Sequence, residues 1–588
     1  MKILDRINSP EDVKKLTIDE MKSLAEDIRA GILNRVNTLG GHLGPDLGIV
    51  EATIAFHYVF NSPVDKIVFD VSHQVYPHKM ITGRKAGFTD PLGNPEISGY
   101  TNPAESAHDH FVVGHTSTSV SLATGVAKAR DLKGEKYNVI ALIGDGSLTG
   151  GEAFEGLNNA AVLGSNFIVI VNDNDMSIAE NQGAIDKHLK ELRKAKGNVE
   201  NNLFKAMGYE YLFVEDGNDL ESLIDTFKKV KDTDHPVVVH IFTLKGKGYK
   251  PAEEDKEPYH WQLPGFLDKK DGSAAPVETY DSITTDYILK KQKENPAIVS
   301  ISAATPGATG YSREYRKELG KNYTDVGIAE AHAVAYASGI AKNGGKAIFG
   351  VLSSFIQRTY DQLSQDLALN NSPATILVHW GGISGADMTH LQTFDIPLIS
   401  NIPNIVYLAP ANKEEYLKML DWSVEQNEHP VAIRVPACEI VSTGVEDRTD
   451  YSILNKFKVE KEGEKVAILG LGNFLSLGEE VRKELKEKHG IDATLINPRF
   501  VSGLDEELLE NLKKNHSLVI TLEDGVLDGG FGEKIARFYG ASGMKVLNYG
   551  GKKEFTDRVP VEELYERYRL KKELIAEDVL KCLSVAVC

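Results

Sequence analysis

Residues 137–177, YNVIALIGDGSLTGGEAFEGLNNAAVLGSNFIVIVNDNDMS, decide how this chain folds. The apolar run at 139–143 has the length of a buried strand, residues 153–163 have helical spacing, and a second apolar run, FIVIV, follows. A right-handed crossover makes two such strands parallel, so both end at the sheet edge where open α/β sheets bind ligands. We therefore expect Asp145, which ends the first strand, and Asn174, just past the second, to lie at that edge.

The turn GDGSLTG that follows the first strand predicts a metal-bridged phosphate. Its glycines could cradle a phosphate, but Asp145 would repel a diphosphate unless a cation lay between them. The Asp145 carboxylate, the Asn174 amide oxygen and a backbone carbonyl near Met176 would supply three hard oxygen ligands for Mg²⁺. Gly146 and Ser147 are candidate cofactor contacts in the same turn. The alternative is a plain turn beside an Asn-Asp loop, because short motifs often occur by chance.

The longer string GDGSLTGGEAFEGLNNA…VNDNDMSIAEN resembles the 1-deoxy-D-xylulose-5-phosphate synthase family, which is related to transketolase. GDG followed by Asn174 at this interval matches the thiamine diphosphate motif of that superfamily. The resemblance implies an α/β fold of three doubly wound α/β domains with transketolase-like architecture. We place a diphosphate-binding domain at 1–278, a pyrimidine-binding domain at 279–448 and a C-terminal transketolase-like domain at 449–588. Thiamine diphosphate and Mg²⁺ as cofactors, and a homodimer, follow from the same resemblance.

Three glycine-flanked histidines precede this stretch and match the family in order. His42 lies among glycines, the predicted strand IVFDV delivers His73 to its C-terminal end, and His115 opens a small-residue helix after Gly114. Free N–H groups at such a helix N-terminus suit a phosphate, and Thr116 adds a hydroxyl there. The resemblance implies that the histidines hold the cofactor's diphosphate and that His42 and His73 assist proton transfers. His42 could instead lie in a solvent-exposed turn.

Lys245 follows another predicted strand, at 236–243, and lies between glycines. It is a candidate contact to the cofactor, and the alternative is a solvated basic loop. The string LKGKGYKPAE, completed by Tyr259 and His260, is close to a signature of the family, which favours the first interpretation.

Glu330 lies in GIAEAHAVAYASGIA, where nearly every helical neighbour is small or apolar. Such a helix packs closely, so we expect the carboxyl to be buried and its pKa to be raised. This environment suits an acid that hydrogen-bonds in both protonation states. The alternative is an exposed first-turn glutamate that interacts with the helix dipole. The resemblance implies that Glu330 is catalytic and pairs with the aminopyrimidine ring of thiamine.

Candidate substrate contacts follow in two segments. SSFIQRTYDQ contains Phe355, which could stack on the pyrimidine, Arg358, a fixed cation for a substrate anion, and Tyr360. Asp387 and His390 lie in a later loop that we expect to face the site, with His390 as a further proton relay. Without the resemblance, Phe355 would be a core aromatic and Arg358 a surface ion-pair partner.

The sequence departs from the family on the acceptor side. Trp380 and Ala437 stand where the family has arginines, which bind the acceptor's phosphate together with the arginine matched by Arg358. A charge-assisted contact contributes about 1.5–3 kcal/mol, so two losses could weaken glyceraldehyde 3-phosphate binding by about two orders of magnitude or more. Leu352 and Ala331 differ from the family pattern as well.

Composition excludes several classes of protein. A chain of 588 residues is too long for one core. A net charge of −19 argues against nucleic-acid and anionic-membrane partners, and no apolar run approaches the length of a membrane span. The cysteines, Cys438, Cys582 and Cys588, lack paired spacing, which is typical of a reducing compartment. We therefore expect a cytoplasmic protein whose partners are small molecules.

These observations predict a thiamine diphosphate-dependent carboligase. It would decarboxylate a 2-oxo acid donor such as pyruvate and add the two-carbon unit to an aldehyde acceptor such as D-glyceraldehyde 3-phosphate. A transketolase-like or acyloin-forming enzyme with a different, non-phosphorylated acceptor is the alternative. A catalytically silent binding protein is a rival of another class. A nicotinamide-binding fold is disfavoured, because the turn carries an acid at its second position and no ribose-binding acid follows at the expected interval.

Overall fold

The computed structural model describes residues 2–90, 92, 94–268 and 277–584. The chain forms two compact units: unit 1 is Met1–Ala274 with Gly327–Ala329, and unit 2 is Ala275–Val326 with Glu330–Cys588. Cys588 and residues 269–276 lie outside the described residues.

Unit 1 is built on a parallel sheet with helices on both faces. Its strands are β1 Gly41–His42, β2 Lys66–Phe69, β3 Val139–Gly144, β4 Phe167–Asp173, β5 Glu210–Val214, β6 Pro236–Phe242 and β7 Trp261–Gln262. Its helices are α1 Pro10–Val13, α2 Ile18–Leu39, α3 Gly44–Gly48, α4 Val50–Val59, α5 Tyr76–Lys79, α6 Ala86–Thr89, α7 Ser119–Lys133, α8 Gly151–Ala160, α9 Gly183–Lys194, α10 Leu203–Ala206, α11 Leu220–Val230 and α12 Lys250–Glu254. The sheet order is β2-β3-β4-β6-β5.

Alternating side chains along β3 bury the two faces of this sheet. Ile140 and Leu142 join a core that includes α2, α4 and α11, whereas Ala141 and Ile143 join a core that includes α7, α8 and α9. A strand buried on both faces must be apolar throughout, which is why its sequence reads as a continuous hydrophobic run.

The predicted strand-helix-strand motif is confirmed. β3 and β4 pair in parallel, with Ile140 opposite Ile168, and α8 forms the crossover. Both strands therefore end at one edge of the sheet, which is the edge that carries Asp145 and Asn174.

Unit 2 contains two further sheets. Its strands are β8 Ile298–Ser302, β9 Tyr323–Asp325, β10 Lys346–Leu352, β11 Thr375–His379, β12 Val406–Leu408, β13 Val431–Arg434, β14 Lys458–Lys461, β15 Lys465–Gly470, β16 Thr494–Asn497, β17 His516–Val526 and β18 Lys545–Gly551. Its helices are α13 Tyr280–Glu294, α14 Arg313–Leu319, α15 Glu330–Lys342, α16 Asp395–Ser400, α17 Lys413–Glu425, α18 Leu475–His489, α19 Glu506–Leu512, α20 Phe531–Tyr539, α21 Val561–Arg567 and α22 Lys572–Ser584.

The sheet orders in unit 2 are β12-β13-β11-β10-β8-β9, which is parallel, and β14-β16-β15-β17-β18, which carries β14 as an antiparallel edge strand. Ile348 and Phe349 on β10 face different cores, which include α13 with α17 and α15 respectively. Phe349 shares its core with Leu469 of the second sheet. The predicted α/β class with doubly wound sheets is confirmed, and the three domain boundaries stay a prediction.

Among the residues described above, none of the helices is both long enough and apolar enough to cross a lipid bilayer.

Candidate active site

Asp145 lies at the centre of a polar cluster at the carboxyl edge of the unit 1 sheet. Its Oδ2 accepts hydrogen bonds from the backbone N–H groups of Asn174 at 3.3 Å and Met176 at 3.1 Å. The side-chain amide of Asn181 donates to the same oxygen at 2.7 Å. Asn174 Oδ1 is buried and accepts no hydrogen bond from the residues that the structure describes. The cluster thus pairs a buried carboxylate with an unused amide oxygen.

A second carboxylate, Asp173, raises the negative charge beside Asp145. Burial, followed by the charge of Asp173, raises the pKa of Asp145. Burial also opposes ionisation of Asp173, but hydrogen bonds and charge from His240 and Arg193 outweigh it and lower the pKa of that carboxyl. His240 Nε2 lies 2.9 Å from Asp173, and Arg193 Nη1 donates to it at 2.6 Å. An ionised Asp145 beside an ionised Asp173 favours a bound cation.

These oxygen atoms fit Mg²⁺ better than a transition metal. No group of three or more His, Cys, Asp or Glu side chains within the described ranges is arranged to hold a metal ion. A cation here would be held by Asp145 and by neutral oxygens such as the unpartnered Asn174 Oδ1. Mg²⁺ binds through one or two carboxylates and takes its remaining ligands from substrate phosphates and water. The predicted metal ligands Asp145 and Asn174 therefore lie together, and Met176 adjoins them through its N–H.

Three histidine rings form a second cluster in unit 1. The ring centres of His42 and His73 are 5.1 Å apart, and His260 lies 5.4 Å from each of them. Strand β1 carries His42 and pairs with β7, which begins directly after His260. Burial, with the nearby charges of Lys245, His42 and His73, holds the pKa of His260 well below its usual value. His260 is therefore a neutral imidazole near pH 7.

A strained bend positions His73. Strand β2 ends at Phe69, two residues before the predicted end, because Val71 and Ser72 adopt positive φ values of 56° and 59°. Such angles are unfavourable for a β-branched residue and concentrate at functional sites. Ser72 Oγ fixes the bend by donating to the Val113 carbonyl at 2.6 Å.

Lys245 connects the histidine cluster with the segment that follows Met176. Its Nζ donates to the Ser177 carbonyl at 2.6 Å and lies 3.0 Å from His260 Nδ1. Burial lowers the pKa of Lys245 to about 7. The side chain is buried beside both clusters, so the alternative of a solvated loop lysine is wrong.

The expectation for His115 was wrong in one respect. Helix α7 begins at Ser119, beyond Gly114, His115 and Thr116. The N–H groups of Ser117 and Ser119 donate to the buried Asp70 carboxylate at 2.8 and 3.0 Å. These amides are therefore committed to a carboxylate, and they do not form the open phosphate site that the sequence predicted.

The turn residues Gly146 and Ser147 pack at the predicted edge. Gly146 donates its N–H to Asp145 Oδ1 at 3.0 Å, and a Cβ on Gly146 would lie 2.9 Å from the Ser177 side chain. Ser147 is buried, and its carbonyl accepts a hydrogen bond from Ser117 Oγ at 2.8 Å. Only glycine fits this approach of the two loops.

Glu330 begins helix α15 in unit 2 and is 4% exposed. Burial raises the pKa of Glu330, while Arg358 opposes the shift from a position 3.7 Å away. The prediction of a desolvated glutamate with a raised pKa is confirmed. The alternative of an exposed first-turn glutamate is wrong, because the small side chains of α15 bring the helix close to its core.

Phe355, Asp387 and His390 lie together in unit 2. The rings of Phe355 and His390 are 5.7 Å apart, and His390 Nδ1 is 3.7 Å from Asp387. Burial opposes ionisation of Asp387, but His390 and Thr389 outweigh it and lower its pKa to about 2. Asp387 is therefore an anion, and Thr389 Oγ1, which is bonded to Asp387, lies 2.8 Å from His390 Nδ1 and links the two side chains.

Tyr360 differs from the other predicted substrate contacts. The residue is 47% exposed, and its hydroxyl donates to Asn401 at 2.7 Å. These contacts direct Tyr360 to the surface after α16, and its substrate role stays a prediction.

Two residues of the site were not predicted from the sequence. Asn181 bonds Asp145 directly, and its only sequence signal was its place in the string DNDMSIAEN. His260 completes the histidine cluster, and its signal was the pair Tyr259-His260 after the Lys245 loop. Both contacts depend on loops that meet only in the folded chain.

Comparisons with known protein families match almost the whole chain. Residues 4–201 and 193–243 match the family described as 1-deoxy-D-xylulose-5-phosphate synthase. Residues 279–440 match the pyrimidine binding domain of transketolase, and residues 455–575 match the transketolase C-terminal domain.

Individual relatives give the same result. A 1-deoxy-D-xylulose-5-phosphate synthase from Halothermothrix orenii is 38% identical, with 100% of this chain and 98% of the relative covered. One from Caldanaerobacter subterraneus subsp. tengcongensis is 39% identical, with 98% and 99% covered. A solved transketolase from Campylobacter jejuni subsp. jejuni NCTC 11168 is 18% identical, with 96% of this chain and 100% of that chain covered and a TM-score of 0.44.

Proposed function

The chain belongs to the 1-deoxy-D-xylulose-5-phosphate synthase family, and we propose that it is a thiamine diphosphate- and Mg²⁺-dependent carboligase. It decarboxylates a 2-oxo acid such as pyruvate and joins the two-carbon unit to an aldehyde such as D-glyceraldehyde 3-phosphate. The observation that carries this proposal is the burial of Glu330, a lone carboxyl with a raised pKa at the start of a small-residue helix. A chain that had lost catalysis would have little reason to keep so unfavourable a group buried.

Unit 1 holds the diphosphate end of the cofactor in this proposal. Asp145 and Asn174 bind Mg²⁺, with the carbonyl of Met176 as a further ligand, and Asn181 orients the carboxylate. Lys245 adds a positive charge where the diphosphate is held. Gly114, His115, Thr116, Gly146 and Ser147 are the other proposed contacts.

Unit 2 supplies the acid and the aromatic surface for the pyrimidine ring. When bound, thiamine diphosphate supplies the electron sink that allows a 2-oxo acid to lose CO₂. Glu330 would exchange a proton with the aminopyrimidine nitrogen, and its raised pKa makes protonation of the carboxyl easier. Phe355 would line the site of the ring and exclude water from it.

Histidines move the remaining protons. The imidazole rings of His42, His73 and His260, in their neutral form, can each donate through one nitrogen and accept through the other. In unit 2, Thr389, which is itself bonded to Asp387, holds His390 in one orientation, and this orientation suits proton delivery to the aldehyde oxygen. Arg358 is the proposed cationic substrate contact.

We also propose that the enzyme is a cytoplasmic homodimer that acts on small molecules. Apolar side chains exposed on helices of unit 1, Leu132 on α7 and Phe154 on α8, support a contact with a second copy. Light scattering on the purified chain tests this assembly, and a mass of one chain at micromolar concentration would refute it.

Product analysis tests the proposed reaction. Purified protein with Mg²⁺, thiamine diphosphate, carbon-13-labelled pyruvate and D-glyceraldehyde 3-phosphate should release CO₂ and form a labelled ketose phosphate that NMR detects. CO₂ release that requires an added aldehyde supports carboligation. Formation of a new ketose without CO₂ would instead establish transketolase-like transfer, and no thiamine diphosphate binding by calorimetry would establish a silent paralogue.

A further inference from the structure

A cavity of about 480 Å³ in unit 2 brings together the two positions at which the sequence departs from its family. We call it the Trp380 pocket. Its walls include Thr279, Asp281, Trp380, Gln392, Ala437 and Glu439. These residues come from the start of α13, the end of β11 with its loop, and the end of β13. Only the fold therefore makes Trp380 and Ala437 neighbours of one cavity.

The pocket wall carries two carboxylates and one histidine, His379, whose Nδ1 lies 3.0 Å from Asp281, and it has no lysine or arginine among the residues that the structure describes. Asp281 and Glu439 contribute carboxylates to the wall. Burial, followed by the charges of Asp524 and Glu439, raises the pKa of Cys438, which also lines the cavity. The Asp281 and Glu439 carboxylates in the wall oppose binding of a phosphate.

The cation behind the pocket, Arg434, is already neutralised. Arg434 is buried, its Nε donates to Asp395 at 2.6 Å, and its Nη1 is bonded to Asp524. Two carboxylates therefore compensate one guanidinium. Arg358, the remaining predicted phosphate contact, lies 3.7 Å from the Glu330 carboxylate, which offsets its charge in turn.

The hydrogen-bonding groups of the pocket suit hydroxyls. Trp380 is 42% exposed at the end of β11, where its φ of 62° turns it out of the strand. An exposed indole ring packs against the C–H face of a polyol. Ser384 lines the cavity, and its Oγ is buried with no hydrogen-bond partner in the described part of the chain. Gln392 and the partly exposed Asp281 add hydrogen-bonding groups.

The pocket adjoins the loop that carries the proposed acceptor-side groups. The Gly382 N–H donates to the Gln392 carbonyl at 2.8 Å, which closes the loop that contains Asp387 and His390 and joins it to the pocket wall. His390 faces Phe355 from the same loop. Gln392 of the pocket wall is two residues from His390 in this loop, so the pocket adjoins the segment that carries the proposed proton donor.

We propose that the Trp380 pocket receives the uncharged, hydroxyl-bearing end of the aldehyde acceptor and disfavours a phosphate there. The inference rests on the proposed carboligase function and deepens it by naming the acceptor class. Trp380 packs against the carbon chain of the acceptor, while Ser384, Gln392 and Asp281 bond its hydroxyls. Ala437 leaves room at the wall where an arginine would hold a phosphate.

A matched pair of acceptors tests this assignment. D-glyceraldehyde and D-glyceraldehyde 3-phosphate differ only in the phosphate, and both are assayed with pyruvate, Mg²⁺ and thiamine diphosphate. The wild-type protein should use D-glyceraldehyde with the higher kcat/KM. Trp380→Ala should raise the KM for D-glyceraldehyde about tenfold and leave donor binding unchanged. A tenfold preference for the phosphorylated aldehyde, or an unchanged KM in Trp380→Ala, would overturn the proposal.

Adding positive charge to the pocket wall provides a second test. Ala437→Arg alone and Trp380→Arg with Ala437→Arg should each lower the KM for the phosphorylated aldehyde, by about tenfold or more in the double variant. Val445→Arg, at an exposed position outside the pocket wall, is the matched control and should change neither KM. Ala437 is exposed, so the single variant should fold even where the double variant does not. Equal KM shifts in the control and in Ala437→Arg would overturn the assignment.

Two further readouts separate this inference from the proposed function. Saturation-transfer NMR detects binding of either aldehyde without turnover, and its signal for D-glyceraldehyde should fall in Trp380→Ala. If no thiamine diphosphate-dependent CO₂ release occurs with any aldehyde, the proposed function fails, whereas the NMR result still decides the pocket. Preferential use of 3-aminopropanal, a cationic aldehyde, would overturn the inference by showing that the acidic wall selects an amine.

Discussion

The metal cluster of unit 1 and the Trp380 pocket of unit 2 are built in opposite ways. Asp145, Asn174 and Lys245 are buried, and neighbouring loops bond the Asp145 carboxylate and the Lys245 ammonium. Trp380 and Ala437 are exposed, and the pocket wall they form is open. A buried polar group cannot change without leaving partners unpaired, whereas an exposed wall residue can. The fold therefore constrains the buried residues proposed to bind the cofactor, whereas the exposed residues proposed to select the acceptor can be substituted without unfolding the chain.

The largest expected effect is the loss of cofactor binding in Asp145→Asn. Removing the one carboxylate proposed to bind Mg²⁺ should cost about 4 kcal/mol, which is about a thousandfold in kcat/KM. Calorimetry should show no Mg²⁺-dependent binding of thiamine diphosphate. Asp234→Asn, at an exposed position of unit 1, is the matched control and should bind the cofactor as the wild type does. Equal cofactor affinity in Asp145→Asn and the wild type would show that the buried Asp145 carboxylate is not needed to bind Mg²⁺ and the cofactor.

Glu330→Gln should separate chemistry from binding. Glutamine keeps the size and a hydrogen bond but cannot exchange a proton, so kcat should fall by about 10²–10⁴-fold. Thiamine diphosphate affinity should change by less than about tenfold, since only one contact is altered. Steady-state CO₂ release and calorimetry measure the two quantities. Glu314→Gln, on the exposed α14, should retain full activity. Full activity in Glu330→Gln would show that this side chain has no catalytic role.

Glu523 is a buried carboxyl of unit 2 that we expect to stabilise the fold and to take no part in the reaction. Its oxygens accept the N–H groups of Phe531 at 2.9 Å and Gly532 at 2.7 Å, and burial raises its pKa from 4.5 to about 7. The native state thus retains a proton that the unfolded chain releases. Its stabilising contribution is fully present below pH 4.5 and is lost as the pH rises through about 7, by about 3 kcal/mol in total.

Thermal unfolding across this pH range measures the effect. Glu523→Gln should flatten the decline in melting temperature while kcat stays close to the wild-type value. Glu533→Gln is an exposed change on α20, the helix whose first N–H groups Glu523 accepts, and it should leave the slope as it is. An unchanged slope in Glu523→Gln would show that this carboxyl does not control the pH response.

The smallest expected effect is in Asn181→Ala. Its side-chain amide orients Asp145 from 2.7 Å, and the loss of such an outer contact weakens metal affinity by about tenfold. At saturating Mg²⁺, kcat should recover to near the wild-type value, which a Mg²⁺ titration of activity will show. Asn198→Ala, at an exposed position, is the control and should match the wild type throughout. A lower kcat at saturation would place Asn181 in the reaction itself.

The local pattern of the sequence predicted those helices and strands whose buried face is determined by their own residues. The apolar runs of β3 and β4, separated by a helical segment, predicted a parallel pair and its polar edge. The small residues of α15 predicted a buried Glu330. In each case the periodicity of one segment determines which face is buried, so no distant contact is needed.

Long-range contacts account for what the sequence did not predict. Asp70 accepts the N–H groups of Ser117 and Ser119 across 47 and 49 residues, so these two amides are not open to a phosphate at the start of α7. His260 reaches His42 only because β7 pairs with β1. The resemblance identified Trp380 and Ala437 as departures, but their shared pocket required the folded unit 2.

Hydrogen exchange at the thiazolium C2 of bound thiamine diphosphate requires no acceptor. It therefore shows whether the groups that activate the cofactor are intact, whatever the acceptor pocket selects. NMR of quenched samples should show exchange in the wild type about 10² times faster or more than in Glu330→Gln, with the cofactor fully bound in both. Equal exchange rates in the two proteins would contradict the account, because Glu330 would then have no part in activating the cofactor.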